Sequence, residues 1–157
     1  MKTVSYWQDK VVMVTGASSG IGGALAIELA KRGARLGLVA RRADALSEIA
    51  ERIRAAGSQA AVLPADVRDA DSLRAVAEQL HSQVGPVDVL IANAGIGPTR
   101  DGSDLNAKEV SDVININVIG AANSVAAVLP QMIARGKGHL VVISSLAAYR
   151  GYPPKAR

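Results

Sequence analysis

Alternating strand-like and helical periods from Lys10 to Ser144 predict an α/β protein built on a doubly wound parallel sheet. Three observations carry that prediction. Short runs of Val, Ile, Leu and Ala recur at intervals filled by amphipathic, alanine-rich stretches. The first run breaks into a glycine-rich turn that opens directly into a helix. With no Phe and one Trp the core must be aliphatic, which suits buried parallel strands flanked by Ala-lined helices.

The first strand is Lys10–Val14. Ile21, Leu25 and Leu29 then line one helix face at i, i+4 and i+8, and Gly33 ends that helix. Arg35–Ala40 is the second strand. Leu46, Ile49 and Ile53 mark a helix stopped at Gly57, and Gln59–Leu63 is strand three. Leu73, Val76, Ala77, Leu80 and Val84 mark the next helix, which ends at Gly85-Pro86. Val87–Ala92 is strand four. A long helix follows from about Ala107 to Arg135, with Pro130 expected to bend it near its end. His139–Ser144 is strand five. Helical crossovers between five strands imply a sheet covered on both faces, in the order 3-2-1-4-5.

Strand five does not balance. Leu140-Val141-Val142-Ile143 is apolar at successive positions, hence on both faces, and wants helices on both sides and a neighbouring strand. Leu146 to Arg157 carries Gly151, Pro153 and Pro154 and no helical period. The expectation is a single domain over 1–157 with its C-terminal elements missing.

At 157 residues the chain has the size of one domain with a real core. Hydrophobic residues at 49% with 20% charged exclude a disordered chain. The absence of cysteine excludes disulfides, cysteine catalysis and cysteine metal sites, and fits a reducing compartment. Val11–Val14 is too short for a signal peptide and follows Asp9 and Lys10. No uninterrupted apolar run approaches the roughly 18–20 residues of a membrane span. A cytoplasmic, soluble protein is expected. The net charge of +4 is scattered along helices without interleaved aromatics, so nucleic acid is not an expected partner. His81 and His139 have no ligand partners at suitable spacing and read as surface residues, so no metal is expected.

Thr15-Gly16-Ala17-Ser18-Ser19-Gly20-Ile21-Gly22 follows a strand and opens a helix, which is how a parallel sheet makes room for a pyrophosphate. Glycines let the backbone approach the ligand, and the unpaired N–H groups of the helix's first turn face its charge. The alternative is a purely structural turn; the spacing G-x-x-x-G-x-G is not the commoner G-x-G-x-x-G. The ends of strands one and four, where strand order reverses, are where such a Rossmann-like fold binds ligands. Polar residues gather at the strand ends: Asp66-Val67 after strand three, Asn93-Ala94-Gly95 after strand four, Ser144 and Ser145 after strand five. Asn117 sits among Val113, Ile114, Ile116, Val118 and Ile119 inside a helix, where Asn is a poor residue. If buried, it or a loosened carbonyl there needs a partner. It could instead face solvent, and Asn115 competes for the role.

The glycine motif, Asp66-Val67, Asn93-Ala94-Gly95, Asn117-Val118-Ile119-Gly120 and Ile143-Ser144-Ser145 together resemble the classical short-chain dehydrogenase/reductase family over nearly the whole chain. The resemblance implies a nicotinamide dinucleotide and reversible hydride transfer between an alcohol and a carbonyl compound. It implies that Gly16, Gly20 and Gly22 cradle the pyrophosphate, with Ser18, Ser19 and Ile21 around it. Asp66 would hold the adenine amino group with Val67 against the ring, and Asn93, Ala94 and Gly95 would line the ribose side. Ser145 would hydrogen-bond the substrate oxygen, and Asn117 would help hold a water in a proton relay. The partner expected is a small alcohol or carbonyl substrate, and the full-length form is expected to be a homo-oligomer.

NAD sites place Asp or Glu at the end of strand two, about 20 residues past the glycines, on the ribose 2′-hydroxyl. Here Val39-Ala40-Arg41-Arg42 has no carboxylate before Asp44. A carboxylate would repel a 2′-phosphate, whereas paired guanidinium groups bind it by charge-assisted hydrogen bonds. The expected cofactor is NADP(H) rather than NAD(H), the alternative being two exposed arginines at a helix start.

The family's catalytic Tyr, about thirteen residues after the Ser and followed four later by Lys, would fall just past Arg157. Tyr152 and Lys155 are three apart around Pro153-Pro154, and Tyr149 has no Lys four residues on. Two readings therefore stand. One is an NADP-dependent oxidoreductase whose first 157 residues alone are inactive. The other is a non-catalytic dinucleotide-binding protein or inactive truncated fragment.

Overall fold

Five parallel strands form the centre of the molecule: β1 (Val11–Thr15), β2 (Arg35–Ala40), β3 (Ala60–Pro64), β4 (Val89–Ala92) and β5 (His139–Val142). Their order is β3-β2-β1-β4-β5, as the sequence predicts. The structure, a computed structural model, describes residues 5–97 and 106–149. Between the strands run α1 (Gly20–Lys31), α2 (Ala43–Ala55), α3 (Ala70–Gln83), α4 (Ala107–Ile114) and α5 (Gly120–Ala134). The observed strands begin or end within one or two residues of the predicted ones.

The period of two in β1 divides the interior. Val11 and Met13 face one side with Leu63, Leu73, Leu80 and Leu90, where α3 and α5 lie. Val12 and Val14 face the other with Leu36, Leu38, Leu46 and Ile53, where α1 and α2 lie. Each central strand is therefore apolar on both faces, the condition for a doubly wound sheet.

One expectation needs correction. In α1, Leu29 is buried and Leu25 half-buried, but Ile21 is 67% exposed. The buried stripe is Gly22, Gly23, Ala26, Leu29 and Ala30. Small residues let α1 lie close to the sheet, while its first turn projects beyond the strand ends and carries Ile21 clear of the core. The long helix carries a π-helical turn at Asn115–Ile119, and α5 runs through Pro130 to Ala134, close to the predicted end. Strand β5 is left partly uncovered, in line with its unbalanced apolar run: Leu140 is 39% and Val142 57% exposed.

The continuous helix Ala107–Ala134 contains an 18-residue stretch with a mean hydropathy of 1.6 and is long enough, by length and composition, to cross a membrane. Several of its side chains are tied to the fold instead. Ser124, Val128 and Met132 are buried, and Asn123 donates to the main chain after β3. Those ties describe a helix packed on a sheet.

At the N-terminal edge of the sheet, Asp88 and Arg135 form an ion pair of 3.3 Å with side chains 18% and 22% exposed. The other Asp88 oxygen accepts from the Val11 N–H at 3.1 Å, and Arg135 also donates to the Val87 carbonyl. The pair thus fastens α5 to β1 and β4. Replacing one partner strands the other half-buried charge. Arg135→Met is expected to lower the unfolding free energy by about 1–3 kcal/mol, allowing for partial exposure. Urea unfolding should show a lower midpoint at unchanged slope, and adding Asp88→Asn should recover part of the loss.

Candidate functional site

The chain crosses from β1 to α1 through Gly16, whose φ of +68° is a left-handed conformation that a side chain would strain. A Cβ there would also lie 2.8 Å from the Ala94 Cα. A Cβ on Gly22 would lie 2.5 Å from the Asn93 amide nitrogen and closer still to the Gly16 carbonyl. These glycines let three backbone segments meet. Gly20, at φ +55°, has open space where its Cβ would be. α1 then begins with Ser19 as its N-cap, without a side-chain cap and without an acid in its first turn. Its positive pole is left facing outward.

β1 and β4 are joined just beyond their last rungs by one threonine. Thr15, 1% exposed, accepts from the Asn93 and Ala94 N–H groups through Oγ1, both at 3.1 Å. The Asn93 side-chain amide donates back to the Thr15 carbonyl at 3.0 Å. Beyond this lock the two loops diverge and leave a cleft of about 460 Å³.

The cleft is lined by most residues singled out from the sequence: Gly16, Ser18, Ser19, Gly20 and Ile21 on one side, Arg41 and Arg42 at the β2 end. Asp66 and Val67, and then Asn93, Ala94 and Gly95, complete it. Ile21 thus belongs to the cleft, which explains its exposure. Gly22 lies beneath, supporting the Gly16 turn. Arg42 reaches over the glycine loop and donates to Ser18 Oγ at 3.2 Å and Ser19 Oγ at 3.3 Å.

Asp66 is held by its own turn. Arg68 donates to both carboxylate oxygens, the shortest contact being 2.6 Å, and the Arg68 N–H adds a bond of 3.0 Å. The Arg68 side chain beside it therefore holds the Asp66 carboxyl below the usual carboxylate range, against the opposing pull of partial burial. At neutral pH Asp66 is an ionised group that can only accept. The same pair raises the Arg68 guanidinium further.

The two asparagines of the helix separate. Asn117 clasps the loop after β4, accepting from the Ile96 N–H and donating to the Ile96 carbonyl, each at 2.9 Å. Asn115 stays on its own helix, donating to Ser111 Oγ. The π-helical turn is the loosened backbone that the polar residue suggested: the Gly120 N–H reaches back five residues to the Asn115 carbonyl. Ser145 lies past β5, exposed and outside the cleft lining, where its Oγ accepts from the Ala147 N–H at 3.1 Å. Tyr149 is 89% exposed. Tyr152 and Lys155 lie outside the described residues.

Several functional features escaped the sequence reading. The lock through Thr15 depends on two strands separated by 78 residues. Gly120 was seen only as part of a motif, yet its missing side chain admits Val67, whose Cγ2 would stand 2.5 Å from a Cβ. Asn123 donates to the Val67 and Arg68 carbonyls and carried no motif signal. The spacing Tyr-x-x-x-Lys does occur, as Tyr6 and Lys10, and Lys10 Nζ lies 5.5 Å from the Tyr6 ring centroid. That pair precedes β1 and so sits at the opposite edge of the sheet.

Comparison with known proteins agrees with this fold. The sequence profile described as "short chain dehydrogenase" matches residues 10–156. An uncharacterized oxidoreductase of Listeria innocua is 41% identical over 146 residues, covering 93% of this chain and 59% of that protein. A short-chain type dehydrogenase/reductase from Mycobacterium marinum superimposes with a TM-score of 0.91 at 28% identity, covering 96% of this chain and 62% of that one. A metagenomic short-chain oxidoreductase in complex with NADP gives a TM-score of 0.84 at 35% identity, covering 93% and 66%. The chain spans about three fifths of the length of the two Listeria oxidoreductases it matches at 40–41% identity.

The glycines of the cradle should respond differently to a methyl group. Gly22→Ala forces Cβ against a carbonyl and an amide, and a loss of about 1–3 kcal/mol in unfolding free energy is expected. Gly20→Ala meets only the left-handed backbone penalty, about 1 kcal/mol. Denaturant titration of both variants checks the order.

Proposed function

This chain belongs to the short-chain dehydrogenase family, and we propose that it serves an NADP-dependent oxidoreductase acting on an alcohol or carbonyl compound. The observation that carries the cofactor choice is the β2 end of the cleft. Arg41 and Arg42 stand there with no carboxylate on β2 or the residues joining it to α2. Arg42, drawn toward Ser18 and Ser19, brings a guanidinium and two hydroxyls to one rim. A 2′-phosphate is a fitting guest for such a rim, and a bare 2′-hydroxyl is not. The NADP complex of the metagenomic relative supports this reading.

The residues present also fit the rest of a dinucleotide. The tight turn that Gly16 and Gly22 permit, with open space beside Gly20, lies at an uncapped helix N-terminus, a favourable place for a pyrophosphate. Asp66 offers an ionised acceptor to an adenine amino group, with Val67 against the ring, and Asn93, Ala94 and Gly95 flank the ribose side. When bound, the nicotinamide supplies or takes up the hydride. Ser145 hydrogen-bonds the substrate oxygen and stabilises charge developing there. Asn117 has committed its side chain to Ile96, so its part in a proton relay falls to the loosened main chain of the π-helical turn. A reducing, cytoplasmic setting and a homo-oligomeric full-length form complete the proposal.

Calorimetry with NADP(H) and NAD(H) tests the cofactor assignment. One charge-assisted contact is worth about 1.5–3 kcal/mol, so NADP is expected to bind roughly ten- to a hundredfold tighter. Arg41→Ala should weaken NADP and leave NAD nearly unchanged. Equal or tighter binding of NAD by the unaltered chain would overturn the assignment.

Residues 1–157 by themselves are proposed to bind the dinucleotide without turnover. Ser145 donates a hydrogen bond but does not readily surrender a proton, and Tyr149 lacks a Lys four residues on. A positioned acid contributes about 10²–10⁴-fold. Assays against ketones, aldehydes and secondary alcohols should find no turnover by this chain, while a version extended by a Tyr-x-x-x-Lys segment and the remaining relative-like length should be active. Comparable rates in the two would return Tyr149 or Tyr152 to consideration as the acid.

A further inference from the structure

The turn after β3 is fixed on three sides. Its backbone closes through Asp69 N–H to the Asp66 carbonyl at 3.0 Å. Asp69 then caps α3, accepting from the Asp71 and Ser72 N–H groups. The carbonyls of Val67 and Arg68 point the other way, and among the described residues no backbone N–H donates to either. Both are met by one side chain: Asn123 Nδ2 donates to Val67 O at 3.0 Å and to Arg68 O at 3.3 Å, across more than fifty residues of sequence. The helix can come this close because Gly120, one turn earlier, leaves room for Val67. Asn is an unfavourable residue inside a helix, and its half-buried amide here has no comparable task on its own helix.

We propose that Asn123 is a positioning residue for adenine recognition: it fixes the turn from Asp66 to Arg68, and with it the direction of the Asp66 carboxylate. This rests on the dinucleotide reading of the cleft. Arg68 holds the carboxylate from within the turn and reaches α4 only through the charge of Asp112, so among the described residues its hydrogen bonds tie the turn to no other element. Asn123 supplies that anchor from α5, the helix that continues the π-helical turn holding Asn117. Without it, the acceptor and the Val67 backbone can drift relative to the glycine loop. Misplaced acceptors lose a hydrogen bond's directional preference before they lose the fold.

The test compares NADP with nicotinamide hypoxanthine dinucleotide phosphate, in which the adenine 6-amino group is replaced by oxygen. The 157-residue chain is expected to prefer NADP by about tenfold, the value of one hydrogen bond to a charged acceptor. Asn123→Leu, similar in size but without a donor, should bring that ratio close to one at unchanged melting temperature. Asn123→Gln should restore part of it. If Asn123→Leu unfolds, Gly120→Ala, which pushes α5 off Val67, should lower the ratio in the same way. A role in general stability would weaken both ligands equally and keep the ratio, and that result overturns the proposal. A wild-type chain that binds dinucleotide without discriminating the two bases also overturns it while leaving the dinucleotide reading intact. A wild-type chain that binds neither ligand sinks both.

Discussion

Where β1 and β4 end, the chain leaves the sheet in opposite directions, and Thr15 holds the two exits together. Its hydroxyl accepts two backbone N–H groups of the β4 loop, and Asn93 returns a bond to its carbonyl. The pairing continues the sheet by side chain for one more step after the strands have parted. Buried at 1% exposure, these bonds satisfy groups that would otherwise be costly orphans. Everything around the cleft takes its place from this junction. Gly16 turns directly above it, Gly22 packs beneath that turn, and neither position has room for a Cβ.

The electrostatics follow from what the junction leaves unpaired. α1 begins at the cleft with no cap and no acid, so its N–H groups present a positive field. Two arginines extend that field along the β2 end. Among the described residues the one carboxylate of the cleft lining is Asp66, gripped by Arg68, which keeps it ionised and directs it. The cleft is thus favourable to an anion along one wall and offers a hydrogen-bond acceptor at one point on the other. A dinucleotide has that distribution of charge, with phosphates on one side and an amino-bearing base at the end.

Most of this was legible in the sequence because it depends on local pattern. Strand runs, helical periods and glycine turns follow from residues within a few positions of each other, and they gave the strand order and the cleft's position. Arg41, Arg42, Asp66 and Asn93 were readable because strand ends place their residues at one edge. The reading that needed correction depends on tertiary context. Ile21 keeps a helical period with Leu25 and Leu29, yet helix α1 overshoots the sheet at its start, so periodicity alone assigned the wrong face. The π-helical turn was hinted at by Asn117, but the sequence does not fix which carbonyl of the turn is loosened. Thr15, Gly120 and Asn123 act on partners fifty or more residues away, and nothing near them in sequence announces those partners. Tyr6 and Lys10 show the reverse case, a correct spacing at the wrong edge of the sheet.

The central claim is that one cleft, built on the Thr15 junction, takes the whole dinucleotide along its length. An amide-resolved NMR titration of the chain with NADP tests it most directly. The account predicts shifts sharing a single dissociation constant at Gly16 to Gly22, at Arg41 and Arg42, at Asp66 and Val67, and at Asn93 to Ile96. Gln8, Gly33 and Gly57, at the opposite edge of the strands, should stay still. Shifts centred on that opposite edge, or glycine-loop shifts without any at Arg41 and Asp66, would contradict it.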